Sequence, residues 1–126
     1  MTIAYVDTSI VVATLLDEPG ADVMRQRLGM FNALVSSALI EAELFATLTR
    51  QRVALSALNR GIVELVTPVR PLTSELLRVY TAGYVRGADA WHLATALYLS
   101  PDPSALTFLT LDAAQGEVAR TLGFVT

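Results

Sequence analysis

Apolar positions along the chain fall into short solid runs separated by longer periodic stretches. Ile3-Ala4-Tyr5-Val6 is the first such run, and it stops abruptly on Asp7, Thr8 and Ser9. Four β-prone or small residues ending on a carboxylate predict a buried strand, and the apolar stretch after it predicts a helix over Ser9–Asp17. Pro19-Gly20 breaks that helix, and a second is expected over Ala21–Phe31, with Val23, Met24, Leu28 and Phe31 on one face. Ala33–Ser36 predicts the second strand. Ser37 is a good N-cap for a long helix over Ala38–Arg52, with Glu41 and Glu43 in its first two turns and Arg50 and Arg52 at its end, the order the helix dipole favours. Ser56–Glu64 is expected to be helical and Leu65-Val66-Thr67 to be a third strand that Pro68 ends. A helix from Thr73 to about Gly83 follows. Arg86-Gly87-Ala88-Asp89 opens the next, Ala90–Leu99, closed by Ser100-Pro101-Asp102-Pro103. Leu106–Thr110 predicts a fourth strand, Asp112–Leu122 a last helix, and Gly123-Phe124-Val125 a fifth short strand.

Strands alternating with helices imply an α/β fold whose parallel sheet is covered on both faces. The carboxyl edge of such a sheet is where strand ends and helix starts leave a crevice for ligands. The 126 residues suit one domain over 1–126, with no internal repeat, low-complexity segment or linker.

Composition changes the picture in three respects. Hydrophobic residues make up 53% of the chain and mean hydropathy is +0.50, yet no uncharged run approaches the roughly 18 residues a membrane span requires. The apolar excess is therefore expected at an interface, as in a homo-oligomer or a complex with a partner. No basic stretch precedes the first apolar run, so no signal peptide is expected and the chain is expected to be cytoplasmic. There is no Cys, which excludes disulfides, thiolate metal sites and a cysteine nucleophile. Net charge is −3, and all nine basic residues are Arg. Without Lys, neither a P-loop nor a receiver-type mechanism is available, and no basic run grips nucleic acid nonspecifically. Any action on nucleic acid must rest on a few placed guanidiniums and a metal ion.

Acids recur at one edge of the predicted sheet. Asp7 follows the first strand, Glu41 and Glu43 lie in the helix after the second, Asp89 stands in the first turn of its helix, and Asp112 follows the fourth strand. Helix capping explains any one of them. Four acids converging without lysine are costlier, since two carboxylates about 4 Å apart repel by roughly 4 kcal/mol at an effective dielectric near 20. Such a set calls for a hard cation, Mg2+ or Mn2+, which serves phosphoryl chemistry. Glu41 and Glu43 point about 200° apart on a helix, so one alone can join, and the local pattern does not separate them.

Together, Val6-Asp7-Thr8-Ser9, Ser37-Ala38-Leu39-Ile40-Glu41-Ala42-Glu43-Leu44, Ala88-Asp89-Ala90-Trp91-His92-Leu93-Ala94-Thr95-Ala96-Leu97 and Leu109-Thr110-Leu111-Asp112 resemble the PIN-domain nucleases, specifically the VapC-type toxins of toxin–antitoxin pairs. The resemblance runs in register over essentially the whole chain. It implies a PIN-like three-layer fold with strand order 3-2-1-4-5 and an Mg2+- or Mn2+-dependent endoribonuclease. It also implies Asp7, Glu43, Asp89 and Asp112 as catalytic and metal-binding acids, RNA as substrate, a cognate antitoxin as partner and a homodimer. Glu41 is an extra acid relative to the family pattern.

Other residues invite roles beside simpler ones. His92 shares a helical face with Asp89 and suggests a general base, against a packed histidine satisfied by a neighbour; the family's mechanism needs no such base. Thr8, Ser9 and Thr110 are candidates to position substrate, against capping, and Arg86 to meet a phosphate, against a solvated side chain. Trp91 suggests a stacked base or a dimer seam, against plain core packing. The rival functions are a doubly wound small-molecule phosphohydrolase with Asp7 as nucleophile, and an inert partner-binding module. An Asp-x-Asp pair is missing for the former, Ser9 standing at the second position, and the latter leaves the acids unexplained.

Overall fold

The structure, a computed structural model, describes residues 2–54 and 63–126. Four parallel strands, β1 (Ile3–Val6), β2 (Ala33–Ser37), β3 (Val63–Val66) and β4 (Thr107–Leu109), form one sheet in the order β3-β2-β1-β4. Ala4 of β1 pairs with Leu34 on one side and Thr107 on the other, which makes β1 a central strand. Among the described residues, six α-helices accompany it: α1 (Thr8–Leu15), α2 (Ala21–Leu28), α3 (Leu39–Arg50), α4 (Thr73–Ala82), α5 (Gly87–Leu99) and α6 (Ala113–Leu122).

Alternation along the strands sorts the core into two layers. Ala4, Val6, Leu34 and Leu109 pack with Ile10 and Val11 of α1 and Ile40 and Leu44 of α3. Tyr5, Val35 and Phe108 face the other way, onto Leu72 and Val79 with α4, Leu93 and Leu97 of α5, and Val118 of α6. Helices therefore cover both sheet faces, as the alternating pattern predicts. Tyr5 and Phe108 stack with ring centroids 5.2 Å apart and planes 6° from parallel, and Phe124 closes on Phe108 at 5.6 Å.

Several boundaries move. The helix expected to start at Ser9 starts at Thr8, because Asp7 itself is the N-cap. The second helix ends at Leu28 rather than Phe31, and Val23 is 71% exposed instead of sharing the apolar face, while Met24, Leu28 and Phe31 do pack on the core. Eight residues make barely two turns, so its buried stripe is narrow. Ser37 ends β2 and the cap position falls on Ala38, although Ser37 Oγ still accepts the N–H of Leu39 at 3.0 Å. The third strand lies at Val63–Val66, two residues earlier than expected, so Glu64 belongs to it; the rest of the helix expected over Ser56–Glu64 falls largely outside the described residues.

The fifth strand shrinks to a single parallel bridge between Val125 and Thr107, on the outer side of β4. Gly123 ends α6 at φ 107, a left-handed conformation that glycine adopts without a Cβ clash. The turn drops Phe124 into the core and leaves Val125 two hydrogen bonds, to Leu106 and from Phe108. Among the described residues, no helix is long and apolar enough to cross a membrane.

Candidate active site

The carboxyl ends of β1, β2 and β4 meet the starts of α1, α5 and α6, with the second turn of α3 closing in from the side. Asp7 prolongs β1 by donating its N–H to Leu109 O at 2.9 Å, then turns the chain into α1. Its side chain does two things at once. Oδ2 accepts the N–H of Ser9 at 3.1 Å, an N-cap, while Oδ1 accepts from Gln115 Nε2 at 3.3 Å. Capping and a place in the crevice were competing explanations of this aspartate, and the fold gives it both.

Glu43 enters from α3. Its Oε1 accepts the Thr8 hydroxyl at 2.8 Å and lies 2.6 Å from His92 Nε2. Burial pushes the Glu43 carboxyl up, but the bonds from His92 and Thr8 outweigh it and hold the group below its ordinary range. Glu43 is thus the acid that reaches Thr8 and His92, and Glu41 is carried about 200° around the helix by its spacing of two.

Asp89 sits half-buried in the first turn of α5. Burial, and then the charges of Asp7, Asp112 and Glu43 in that order, raise its carboxyl above the usual aspartate range. Asp89 therefore senses all three of the other predicted acids. Asp112 is exposed and caps α6, its Oδ1 accepting the N–H of Gln115 at 2.8 Å. Among the described residues, no three His, Asp or Glu side chains form a ready-made metal cage. The donor chemistry nonetheless suits a hard divalent ion: every donor is a carboxylate oxygen, and mutual repulsion is what such an ion relieves.

The predicted substrate residues are mostly committed to holding the acids. Thr8 is spent on Glu43. Ser9 Oγ accepts the N–H of Leu111 at 3.0 Å, tying α1 to the loop after β4. Thr110 donates to Gln115 Oε1 at 2.6 Å and accepts the N–H of Asp112 at 3.0 Å. Arg86 is exposed at the N-cap of α5. Trp91 packs on the core and donates to Ser37 Oγ at 3.0 Å, the packing role rather than an open stacking platform.

Three residues count for more than their sequence context suggests. His92 is fully buried and satisfied, as the simpler reading of it holds, but its nearest partners are Tyr5 and Glu43, with Thr8 Oγ1 at 3.3 Å and Asp7 Oδ1 at 3.6 Å beside Nε2. Tyr5 is fully buried too, and burial raises its phenol well above the ordinary value. Gln115, also fully buried, joins Asp7, Thr110 and the carbonyl of Asp89, the last at 3.3 Å. Its available signal is the spacing Asp112-x-x-Gln115, a capping-box pattern. In a capping box the glutamine turns back to its own helix; here it spans the crevice instead.

The family model for the PIN domain matches residues 4–121. A relative named Ribonuclease VapC46, from Mycobacterium tuberculosis, is 34% identical over 125 residues, covering 98% of this chain and 95% of that protein.

Proposed function

Since the chain belongs to the PIN-domain family, with a VapC-type ribonuclease among its relatives, we propose that it is a metal-dependent endoribonuclease acting as the toxin of a toxin–antitoxin pair. The observation that carries the reading is the convergence of the acids: Asp7 and Glu43 lie 3.6 and 2.6 Å from the same nitrogen of His92, and Gln115 bonds Asp7, the carbonyl of Asp89 and, through its N–H, Asp112. Those four acids would hold Mg2+ or Mn2+. A divalent ion, when bound, supplies Lewis-acid polarisation of the phosphodiester and lowers the pKa of water.

The chain's own residues do the positioning. Ser9 N–H and Gln115 orient Asp7 from two sides, while Thr8 and His92 fix Oε1 of Glu43. Asp89 keeps its proton to a higher pH than an ordinary aspartate, and Glu43 loses its proton earlier than an ordinary glutamate. Arg86, exposed three residues before Asp89, is the guanidinium best placed to meet a substrate phosphate. Leu77 and Tyr84 are 66% and 81% exposed, an apolar surface on and just beyond α4 that suits a homodimer seam or an antitoxin segment. The protein is proposed to work in the cytoplasm.

Purified protein is expected to cleave single-stranded RNA with Mg2+ or Mn2+ and to stop with EDTA. Asp7→Asn and Asp112→Asn are expected to abolish cleavage while retaining the fold. Cleavage that persists in chelator, or in Asp7→Asn, would overturn the mechanism.

A further inference from the structure

His92 is the one histidine in the chain, and with no exposed surface it cannot meet substrate. Its ring lies between two unlike partners. On one side Tyr5 Oη is 2.7 Å from Nδ1, and the same oxygen receives the backbone N–H of Ser37 at 3.0 Å. A backbone N–H can only donate, so it fills one lone pair of that oxygen and leaves the Tyr5 hydroxyl hydrogen free to point at Nδ1. In the neutral ring the nitrogen that accepts it is the unprotonated one, which puts the ring hydrogen on Nε2, and the carboxylate facing Nε2 asks for the same. Nε2 is 2.6 Å from Glu43 Oε1, where an N–H donates well and a lone pair would repel. Thr8 donates to that same oxygen, and neither bond takes Oε2. Donation thus runs one way, from β2 through β1 and α5 to α3, and ends on a candidate ligand.

We propose that Tyr5 and His92 are positioning residues for the cation site: the directed chain from Ser37 N–H locks His92 as its Nε2–H tautomer, which holds Glu43 by one oxygen and leaves the other for the ion. This rests on the metal-dependent reading above. Sequence spacing gives no hint of it, because Tyr5 and His92 lie 87 residues apart. The role differs from a general base, since His92 keeps its hydrogen and never contacts the reacting groups.

With a single histidine, 15N-histidine labelling of untagged protein gives one pair of ring resonances. The wild type is expected to show a protonated Nε2 and an unprotonated Nδ1, and Tyr5→Phe to lose that preference. Calorimetric titration with Mn2+ is expected to show at least about a tenfold weaker site in Tyr5→Phe and His92→Leu, with His92→Gln, whose amide restores a donor, within about threefold of wild type. A wild-type ring protonated on Nδ1 or on both nitrogens would overturn the proposal, and so would unchanged Mn2+ affinity in folded Tyr5→Phe. Wild type that binds no Mn2+ at all would instead overturn the metal-dependent reading on which the proposal stands.

Discussion

Gln115 and Asp7 meet at 3.3 Å, Nε2 to Oδ1, across 108 residues of chain. This contact joins the first turn of α6 to the end of β1, and the same glutamine accepts the Thr110 hydroxyl. Losing one partner of a buried bond strands the others, at a cost of about 1–3 kcal/mol. Gln115→Leu is accordingly expected to lower the urea-unfolding free energy by that order, while an exposed control on the same helix, Glu117→Gln, stays within about 0.5 kcal/mol of wild type. Equal midpoints for the two would mean that the amide carries no weight.

Asp89 gives a prediction with a definite sign. Its folded-state pKa is raised, so its contribution to stability is full below the ordinary aspartate value and is lost as pH rises through the raised one. In EDTA, Asp89→Asn should therefore gain on wild type as pH climbs from about 4 toward neutrality. Adding Mg2+ should stabilise the wild type, by about 2.7 kcal/mol at a hundred times the dissociation constant, and the variant much less. Denaturation midpoints measured across pH, with and without Mg2+, check both halves.

Glu41 and Glu43 supply an internal comparison. Glu43→Gln weakens the partner of His92 and Thr8 and removes a charge that Asp89 feels, so Mg2+ should stabilise it less than wild type. Glu41→Gln should respond to Mg2+ as wild type does. Thermal melts of the two variants, each with EDTA and with Mg2+, reverse the assignment if the responses are swapped.

Away from the crevice, Glu75 is buried against Arg70, which reaches both its oxygens at 2.9 and 2.8 Å. The Arg70 guanidinium, aided by the Ser74 hydroxyl, holds the Glu75 carboxyl down to about 2. A lowered pKa stabilises the fold above the unfolded value, and that stability is lost as pH falls from about 4.5 toward about 2. Glu75→Gln should flatten this part of the acid limb of the stability curve. An acid limb unchanged by the substitution would remove the pair from the explanation of acid unfolding.

The exposed apolar side chains beside α4 predict association. The protein should run as a dimer in light scattering at micromolar concentration, and a Leu77→Glu, Tyr84→Ser double variant should shift toward monomer without losing its fold by circular dichroism. A monomeric wild type would leave that surface to a different partner.

What the amino-acid sequence determined by itself is everything that depends on neighbours a few residues away. Solid apolar runs bounded by Asp7, Ser37 and Pro68 mark three of the strands, and the period of the stretches between them marks most of the helices. Capping, the simpler of two readings open for Asp112, is visible in the sequence because a cap is a contact over three residues. The same locality explains the misses: helix ends drifted by one to three residues, Val23 was assigned to a face it does not share, and the last strand came down to one bridge. Short elements carry few positions, so their period is poorly defined, and a strand at the sheet's rim forms only as far as its single neighbour extends. Only the tertiary structure decided which acid of α3 reaches His92, that Asp7 both caps and faces the crevice, and that Gln115 and Tyr5 support the site. The contacts of Gln115 with Asp7, His92 with Glu43 and Tyr5 with Ser37 join residues 32 to 108 positions apart, and their hydrogen-bond direction depends on which donor the packed layers bring to each acceptor. No local pattern of residues encodes that, because the same glutamine or tyrosine on a helix or strand is equally compatible with plain core packing.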